Sequence, residues 1–136
     1  MIYVRNVNKN DIKQTEYLDE LSGNNVSEWL ECEDSGYGIF NDNKLIGYCT
    51  LNYADDCDDI IEKHPNWTND SRLLSNVYIL KEYRNQGIGK LLINTALKEA
   101  DDNSVFLTVL CPELCEYYKY FGFIEIGNDK YAMIKN

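Results

Sequence analysis

The sequence predicts an α/β fold in a single domain spanning residues 1–136. Two observations carry that reading, and a third limits it. Segments with strand-like alternation are interleaved with segments of helical period along the whole chain. An apolar run, Val77-Tyr-Ile-Leu80, stops at a short polar turn holding Arg84-x-x-Gly87-x-Gly89, and an apolar helical pattern then begins at once. The 136 residues are 44% hydrophobic, enough for one core, and no linker, repeat or low-complexity tract divides them.

Taken in order, Met1 to Val7 alternates as a first strand. Asn8 to Leu21 is a helix candidate with Asn8 or Asn10 as N-cap and Tyr17, Leu18 and Leu21 on one face. Ser22-Gly23-Asn24 ends it, and the spacing of Val26, Trp29 and Leu30 predicts a second short helix, closed by Ser35-Gly36. Tyr37 to Phe40 and Lys44 to Tyr53 form a hairpin around Asn41-Asp42-Asn43, residues that tolerate positive φ. Residues 54–72 read as a polar insertion in which six acids face two bases; Ile60 and Ile61 fit one helical turn that Pro65 ends. Arg72 to Leu80 is a strand whose second half is apolar on both faces, as in a central strand.

The next helix runs from Gln86 to Ala100 with Ile88, Leu91, Leu92 and Ala96 on its inner stripe. Val105 to Leu110 is a buried strand; a helix opens at Pro112 and closes at Gly122. Phe123 to Ile126 and Tyr131 to Ile134 are closing strands around Gly127-Asn128-Asp129. The order is β-α-α-β-β-β-α-β-α-β-β.

The formal charge of −10 disfavours nucleic acid as a partner, because a phosphate backbone demands a basic face. It would steer a cationic substrate or basic peptide toward the protein, and equally it keeps a protein in solution. No run long and apolar enough to cross a membrane occurs, and the N-terminus reads as a strand rather than a signal peptide, so a cytoplasmic location is expected. The five cysteines (Cys32, Cys49, Cys57, Cys111 and Cys115) are odd in number and irregular in spacing, which favours reduced thiols. Cys111 and Cys115 lie one helical turn apart, but His64 is the only histidine and a zinc site wants four ligands, so no metal is expected.

The chemistry concentrates at the glycine turn. Backbone N–H groups at a helix N-terminus lack intrahelical partners and suit a phosphate or diphosphate, and glycines allow it to approach closely. The same turn also serves tight packing of helix on strand. Its spacing, Arg84-x-x-Gly87-x-Gly89, resembles the acyl-CoA signature of the Gcn5-related N-acetyltransferase superfamily. Downstream, Tyr118-x-x-x-Gly122-Phe123, after Leu107-Thr-Val-Leu110, resembles that superfamily's closing motif.

The resemblance covers nearly the whole chain. It implies a mixed, mostly antiparallel twisted sheet with helices on both faces and a splay between the fourth and fifth strands. It implies acetyl-CoA as co-substrate, an amine as acceptor, and direct attack with no covalent enzyme intermediate; members are often homodimers. Residue by residue, Arg84, Asn85, Gln86, Gly87, Ile88, Gly89 and Lys90 match the segment that holds the diphosphate. Val77, Tyr78 and Ile79 match the strand whose backbone N–H holds the thioester oxygen, and Tyr118 matches the tyrosine that protonates the departing thiolate.

Three positions depart from the family pattern. Lys81 stands where members often have proline, and Cys111 where many have an asparagine that contacts the pantetheine arm. Many members carry a glutamate on the fourth strand, whereas Leu73 to Leu80 holds no carboxylate. The general base is thus unassigned among Glu33, Asp34, His64 and Asp70, candidates by chemical type alone; a cationic acceptor would fit the acids at Glu31, Glu33, Asp34 and 54–72. The missing carboxylate also leaves open a non-catalytic module that only binds acyl-CoA.

Overall fold

A computed structural model describes residues 1–30, 36–53, 61, 63–109, 112–126 and 129–136. The expectations for Glu31, Glu33, Asp34, Cys32, Cys57, Ile60, Cys111, the Gly127-Asn128 turn and most acids of 54–72 fall outside the described residues. The chain divides into two compact units, residues 1–51 with 76–96 and residues 52–75 with 97–136.

In the first unit, β1 (Ile2–Asn6) pairs antiparallel with β2 (Gly36–Asn41), and β2 with β3 (Lys44–Tyr53). Asn41 faces Lys44, so the loop is the two residues Asp42-Asn43, with Asp42 at φ 54° as its residue type allows. The strand β4 (Arg72–Ile79) follows β3 in the sheet. Buried Leu18, Ile39, Phe40, Ile46 and Tyr48 form much of the interior.

The first helical segment corrects the sequence reading. Asn8 caps a 3₁₀ turn, Lys9–Asp11, through a capping box: the Asn10 N–H donates to Asn8 Oδ1 (2.9 Å) and the Asn8 N–H to Asp11 Oδ2 (2.9 Å). The helix α1 then runs over Ile12–Ser22 and ends at Gly23, φ 82°. Tyr17 and Leu21 are exposed; the buried residues are Asp11, Thr15 and Leu18. Two of those three are polar, so an apolar pattern could not find the stripe. Thr15 Oγ1 donates to the Asp11 carbonyl at 2.8 Å, and Arg5 grips the Asp11 carboxylate in a two-pronged pair at 2.8 and 2.9 Å.

The Arg5 guanidinium, opposed by burial and aided by the Asn8 N–H, holds the Asp11 carboxyl below its ordinary range. A carboxylate with a depressed folded pKa adds stability above its unfolded value and loses it as pH falls through the folded one. Asp11→Ala should therefore cost about 2 kcal/mol at neutral pH. Urea titrations should show the gap from wild type closing as the pH is lowered through the carboxylate range.

The predicted second helix is a 3₁₀ turn, Val26–Trp29, with Val26 and Leu30 buried. The Asp19 carboxylate accepts the Val26 and Ser27 N–H groups (3.0 and 2.9 Å) and the Tyr48 hydroxyl (2.7 Å). Burial pushes the Tyr48 phenol well above its ordinary range.

In the second unit, Arg72 and Leu73 of β4 pair parallel with Val105 and Phe106 of β5 (Val105–Thr108). This two-residue register agrees with the splay that the resemblance implies. β5 pairs antiparallel with β7 (Asp129–Lys135), which pairs with β6 (Ile124–Ile126), so the neighbours run β4-β5-β7-β6. The sheet is mixed and mostly antiparallel.

The core of this unit joins Ile61, Phe106, Ile126, Ala132 and Ile134, with Trp67 and Leu73 against it. The stretch read as a polar insertion thus contributes Ile61, fully buried, and Trp67, whose ring lies 5.6 Å from that of Phe106. Periodicity could not show this, because single apolar residues separated by acids carry no repeat.

The helix α2 (Ile88–Ala100) buries Ile88, Leu92, Ile93, Ala96 and Ala100. Leu91 is 45% exposed, so Ile93 occupies the inner face in its place. The helix α3 (Pro112–Lys119) begins at the expected proline, and Gly122 follows at φ 96°.

Candidate functional site

The strand β4 delivers the chain to the glycine turn, and its second half is not what an unbroken apolar run suggests. Val77, Tyr78 and Ile79 are half-buried rather than covered on both sides. Asn76, just before them, has φ 56°, a left-handed conformation inside a strand. Its Nδ2 donates to Thr50 Oγ1 on β3 at 3.0 Å. Asparagine tolerates that conformation, and a lone asparagine in an apolar strand run was the available signal, not used in the sequence reading.

β4 ends where the Leu80 N–H donates to the Ile46 carbonyl at 2.8 Å. A 3₁₀ turn, Lys81–Tyr83, follows, and Arg84 is extended. Asn85 and Gly87 are both left-handed, at φ 63° and 79°. The first bond of α2 is Leu91 N–H to the Gly87 carbonyl, 3.1 Å. The N–H groups of Ile88, Gly89 and Lys90 precede that bond, so the helix offers them no carbonyl, and its dipole adds positive potential there.

Arg84, Asn85, Gln86, Gly87 and Lys90 are exposed, and Ile88 is buried. Ile88 therefore anchors the turn through its side chain, and only its backbone is open to a ligand. A Cβ placed on Gly87 meets no atom within 4 Å, so the space over the turn is open. Arg84 Nε donates to the Ile79 carbonyl at 2.8 Å and its guanidinium lies 5.3 Å from the Tyr78 ring centre, while Gln86 Nε2 donates to the Glu82 carbonyl at 3.1 Å. Two side chains thus brace the turn by bonds to its own backbone carbonyls. Two left-handed residues, unpaired helix-start N–H groups and two exposed cations thus lie within seven consecutive residues, a combination whose chemistry suits a diphosphate.

In the second unit, Tyr118 is buried on α3, its ring centre 5.2 Å from that of Tyr117, 5.9 Å from Phe123 and 6.3 Å from Phe121. Its carbonyl accepts the Phe121 N–H at 3.0 Å and the Phe123 N–H at 3.4 Å, so the Gly122 reversal locks its place in the motif. The neighbouring tyrosines differ from it: Tyr117 is 39% exposed and Tyr120 91% exposed. Burial also pushes the Tyr117 phenol above its ordinary value, which makes it a weaker acid.

Of the base candidates, His64 is half-buried with its ring centre 5.6 Å from that of Phe106, and its Nδ1 accepts the Asn66 N–H at 3.1 Å. Asp70 is exposed, and Glu33 and Asp34 lie outside the described residues. Cys49 and Cys115 are buried thiols outside any disulfide; burial pushes Cys49 up to about 12, and burial with the nearby Glu125 raises Cys115. Neither has thiolate character. Among the described residues no group of His, Cys, Asp or Glu could hold a metal ion, and no helix is long and apolar enough to cross a membrane.

A model of the acetyltransferase (GNAT) family matches residues 6–123. No curated protein matches by sequence. Solved structures do match by fold. An acetyltransferase of GNAT family from Streptococcus pneumoniae superposes with a TM-score of 0.73 at 18% identity over 99% of both chains. PaiA N-acetyltransferase from Thermoplasma acidophilum, in complex with coenzyme A, gives 0.69 at 18% identity over 100% of this chain and 99% of its own. Arabidopsis thaliana Naa50, in complex with the bisubstrate analogue CoA-Ac-MVNAL, gives 0.71 at 16% identity over 99% and 98%. At these identities the likeness is one of fold.

Proposed function

This chain belongs to the acetyltransferase (GNAT) family, and from that premise we propose that it transfers an acetyl group from acetyl-CoA to a primary amine, either a small amine or a basic peptide, by direct attack in a ternary complex. The observation that carries the reading is the turn 84–90, with Asn85 and Gly87 left-handed ahead of three helix-start N–H groups to which the helix offers no carbonyl, and with open space beside Gly87. The coenzyme A in the Thermoplasma structure and the CoA–peptide conjugate on Naa50 support the same ligand chemistry. Residues 1–136 are read as one acetyltransferase domain, since the family match draws on residues of both units.

Acetyl-CoA supplies a thioester carbonyl open to a neutral amine. Arg84 to Lys90 hold its diphosphate through backbone N–H groups and two cations. A backbone N–H among Val77, Tyr78 and Ile79 holds the acetyl oxygen, where negative charge develops. Tyr118 gives its proton to the departing thiolate. A phenol near ~10 passing a proton to a thiol near ~8.5 is mildly uphill, so the group must be placed well to act. An alkylammonium near ~10.4 is only about one part in a thousand neutral at pH 7, so a base or water chain completes the site. The net charge of −10 supports a cationic acceptor; a homodimer and a cytoplasmic location belong to the same proposal.

The absence of a carboxylate from Leu73–Leu80 favours a second reading, a module that binds acyl-CoA without turnover. Thiol release from acetyl-CoA, screened with polyamines, aminoglycosides, amino acids and basic peptides, decides between them. Turnover with at least one amine is expected. Acetyl-CoA binding with no turnover on any of them would favour the module.

A further inference from the structure

The chain holds three arginines, Arg5, Arg72 and Arg84. Arg5 sets both of its terminal nitrogens on the Asp11 carboxylate, and Arg84 Nε donates to the Ile79 carbonyl. Arg72 differs. Its Nη1 is buried with no hydrogen-bond partner, and among the described residues it is the one buried side-chain nitrogen or oxygen so placed. A guanidinium cannot shed its charge, so burial leaves this donor both dehydrated and unpaired. A charged donor in that state costs more than a neutral one, and a native fold that keeps it calls for a reason.

The setting of Arg72 is well defined. It opens β4, where its N–H donates to the Ser104 carbonyl at 2.9 Å and its register partner is Val105 of β5. Side chains alternate along a strand, and neighbouring Leu73 packs on the core of Ile61 and Phe106, so Arg72 projects from the other face. There its guanidinium lies 3.7 Å from the ring centre of Tyr53, the last residue of β3. A stack this close fixes the plane of the guanidinium but supplies no acceptor for the N–H groups along its edge. Tyr53 is 56% exposed, so its ring is free to swing outward without opening the core.

A donor edge held in plane matches a planar acceptor, and a carboxylate is the acceptor that fits it in both shape and charge. A phosphate offers similar oxygens with up to about twice the charge, which a chain of formal charge −10 repels more strongly.

We propose that Arg72, stacked on Tyr53, is a carboxylate-binding residue: a ligand carboxylate oxygen accepts the buried Nη1 N–H as the Tyr53 ring moves aside. The residues involved all lie within one compact unit, and the inference does not rest on the acetyl-CoA reading. The carboxylate has two sources. It belongs to an amino acid that also carries the amine, or to a small carboxylic acid that binds alone.

The test reads the arginine directly. Low-temperature nitrogen-15 spectra of arginine-labelled protein resolve the guanidinium groups, with Arg5 and Arg84 as internal references. The probes are the common L-amino acids, the matching amines without the carboxylate, the matching acids without the amine, and inorganic phosphate, each up to about 20 mM. At least one carboxylate-bearing probe should move the signals of Arg72 and of the Tyr53 ring while Arg5 and Arg84 stay in place, and its matching amine should move neither. Arg72→Met should abolish that binding. Arg72→Lys keeps the charge without the planar fork and should weaken it about tenfold. An amino acid that binds at least about tenfold tighter than its amine-free acid identifies the first source; equal binding identifies the second.

The inference is overturned if no carboxylate moves the Arg72 signals, or if Arg72→Met binds the same probe as wild type does. If Arg72→Met does not fold, undiminished binding by Arg72→Lys overturns it equally. Phosphate binding as tight as the best carboxylate overturns the assignment of ligand class. Acetyl-CoA is absent from these titrations, so each of these failures leaves the family reading standing.

Discussion

Replacing Gly87 by valine is expected to raise the dissociation constant for acetyl-CoA about a hundredfold or more, equivalent to ~2.7 kcal/mol. The reason is backbone geometry. Gly87 has φ 79°, where a Cβ costs about 1–2 kcal/mol and a β-branched side chain is a genuine outlier. The turn would relax toward ordinary φ, and the N–H groups of Ile88, Gly89 and Lys90 would no longer converge. The new side chain would also fill the open space over the turn that the diphosphate needs.

The same site makes the experiment clean. A Cβ at Gly87 meets nothing within 4 Å, so the substitution crowds no core residue and the unliganded fold should lose only a modest part of its stability. Thermal unfolding separates the two effects. At a hundred times Kd, ligand stabilises wild type by about 2.7 kcal/mol, and the variant should show almost none of this at the same concentration. Asn85→Gly is the control: Asn85 is also left-handed, and glycine adopts that conformation freely, so binding should persist. Affinity should also weaken with salt, since Arg84 and Lys90 are exposed. A Gly87→Val protein that binds acetyl-CoA within about threefold of wild type would remove the turn from the site.

The turn and its helix are legible in the sequence, because glycine spacing and helical period are local signals. The element order was readable for the same reason, and the three glycine-marked reversals, at Gly23, Gly87 and Gly122, all have positive φ. What escaped depended on polar groups or on distant partners. The inner face of α1 is built from Asp11, Thr15 and Leu18, and only Leu18 is apolar. Asp11 is buried because Arg5, six residues away, and the Asn8 N–H satisfy it.

Ile61 and Trp67 sit among acids in the sequence, yet they pack with Phe106 and Ile134, residues far along the chain. Leu91 and Ile93 lie about 200° apart, on opposite edges of the stripe through Ile88, Leu92 and Ala96, and apolar residues at both edges leave the period unable to say which one is buried. At the candidate site the glycines stood out, whereas Asn76 did not. An asparagine in a strand is ordinary in sequence, and its meaning lies in φ and in the reach to Thr50.

Tyr118→Phe should lower kcat about ten- to a hundredfold while the affinity for acetyl-CoA stays within about twofold. The lower end of the range for a general acid is expected, because a thiolate leaves more readily than an alkoxide or amide and water can protonate it slowly. Phenylalanine keeps the ring that packs on Tyr117, Phe121 and Phe123, so the buried cluster survives and the effect isolates the hydroxyl. The melting temperature should confirm this by moving little. Tyr117→Phe is the matched control one residue away. Its phenol is held above the ordinary value by burial, and its loss should leave kcat within about twofold. The comparison separates chemistry from packing: both variants remove one hydroxyl from the same aromatic group, and only one hydroxyl is assigned a proton to give. If Tyr118→Phe turns over as fast as wild type, the departing thiolate takes its proton from solvent or from a group still unassigned, and the role of Tyr118 reduces to packing.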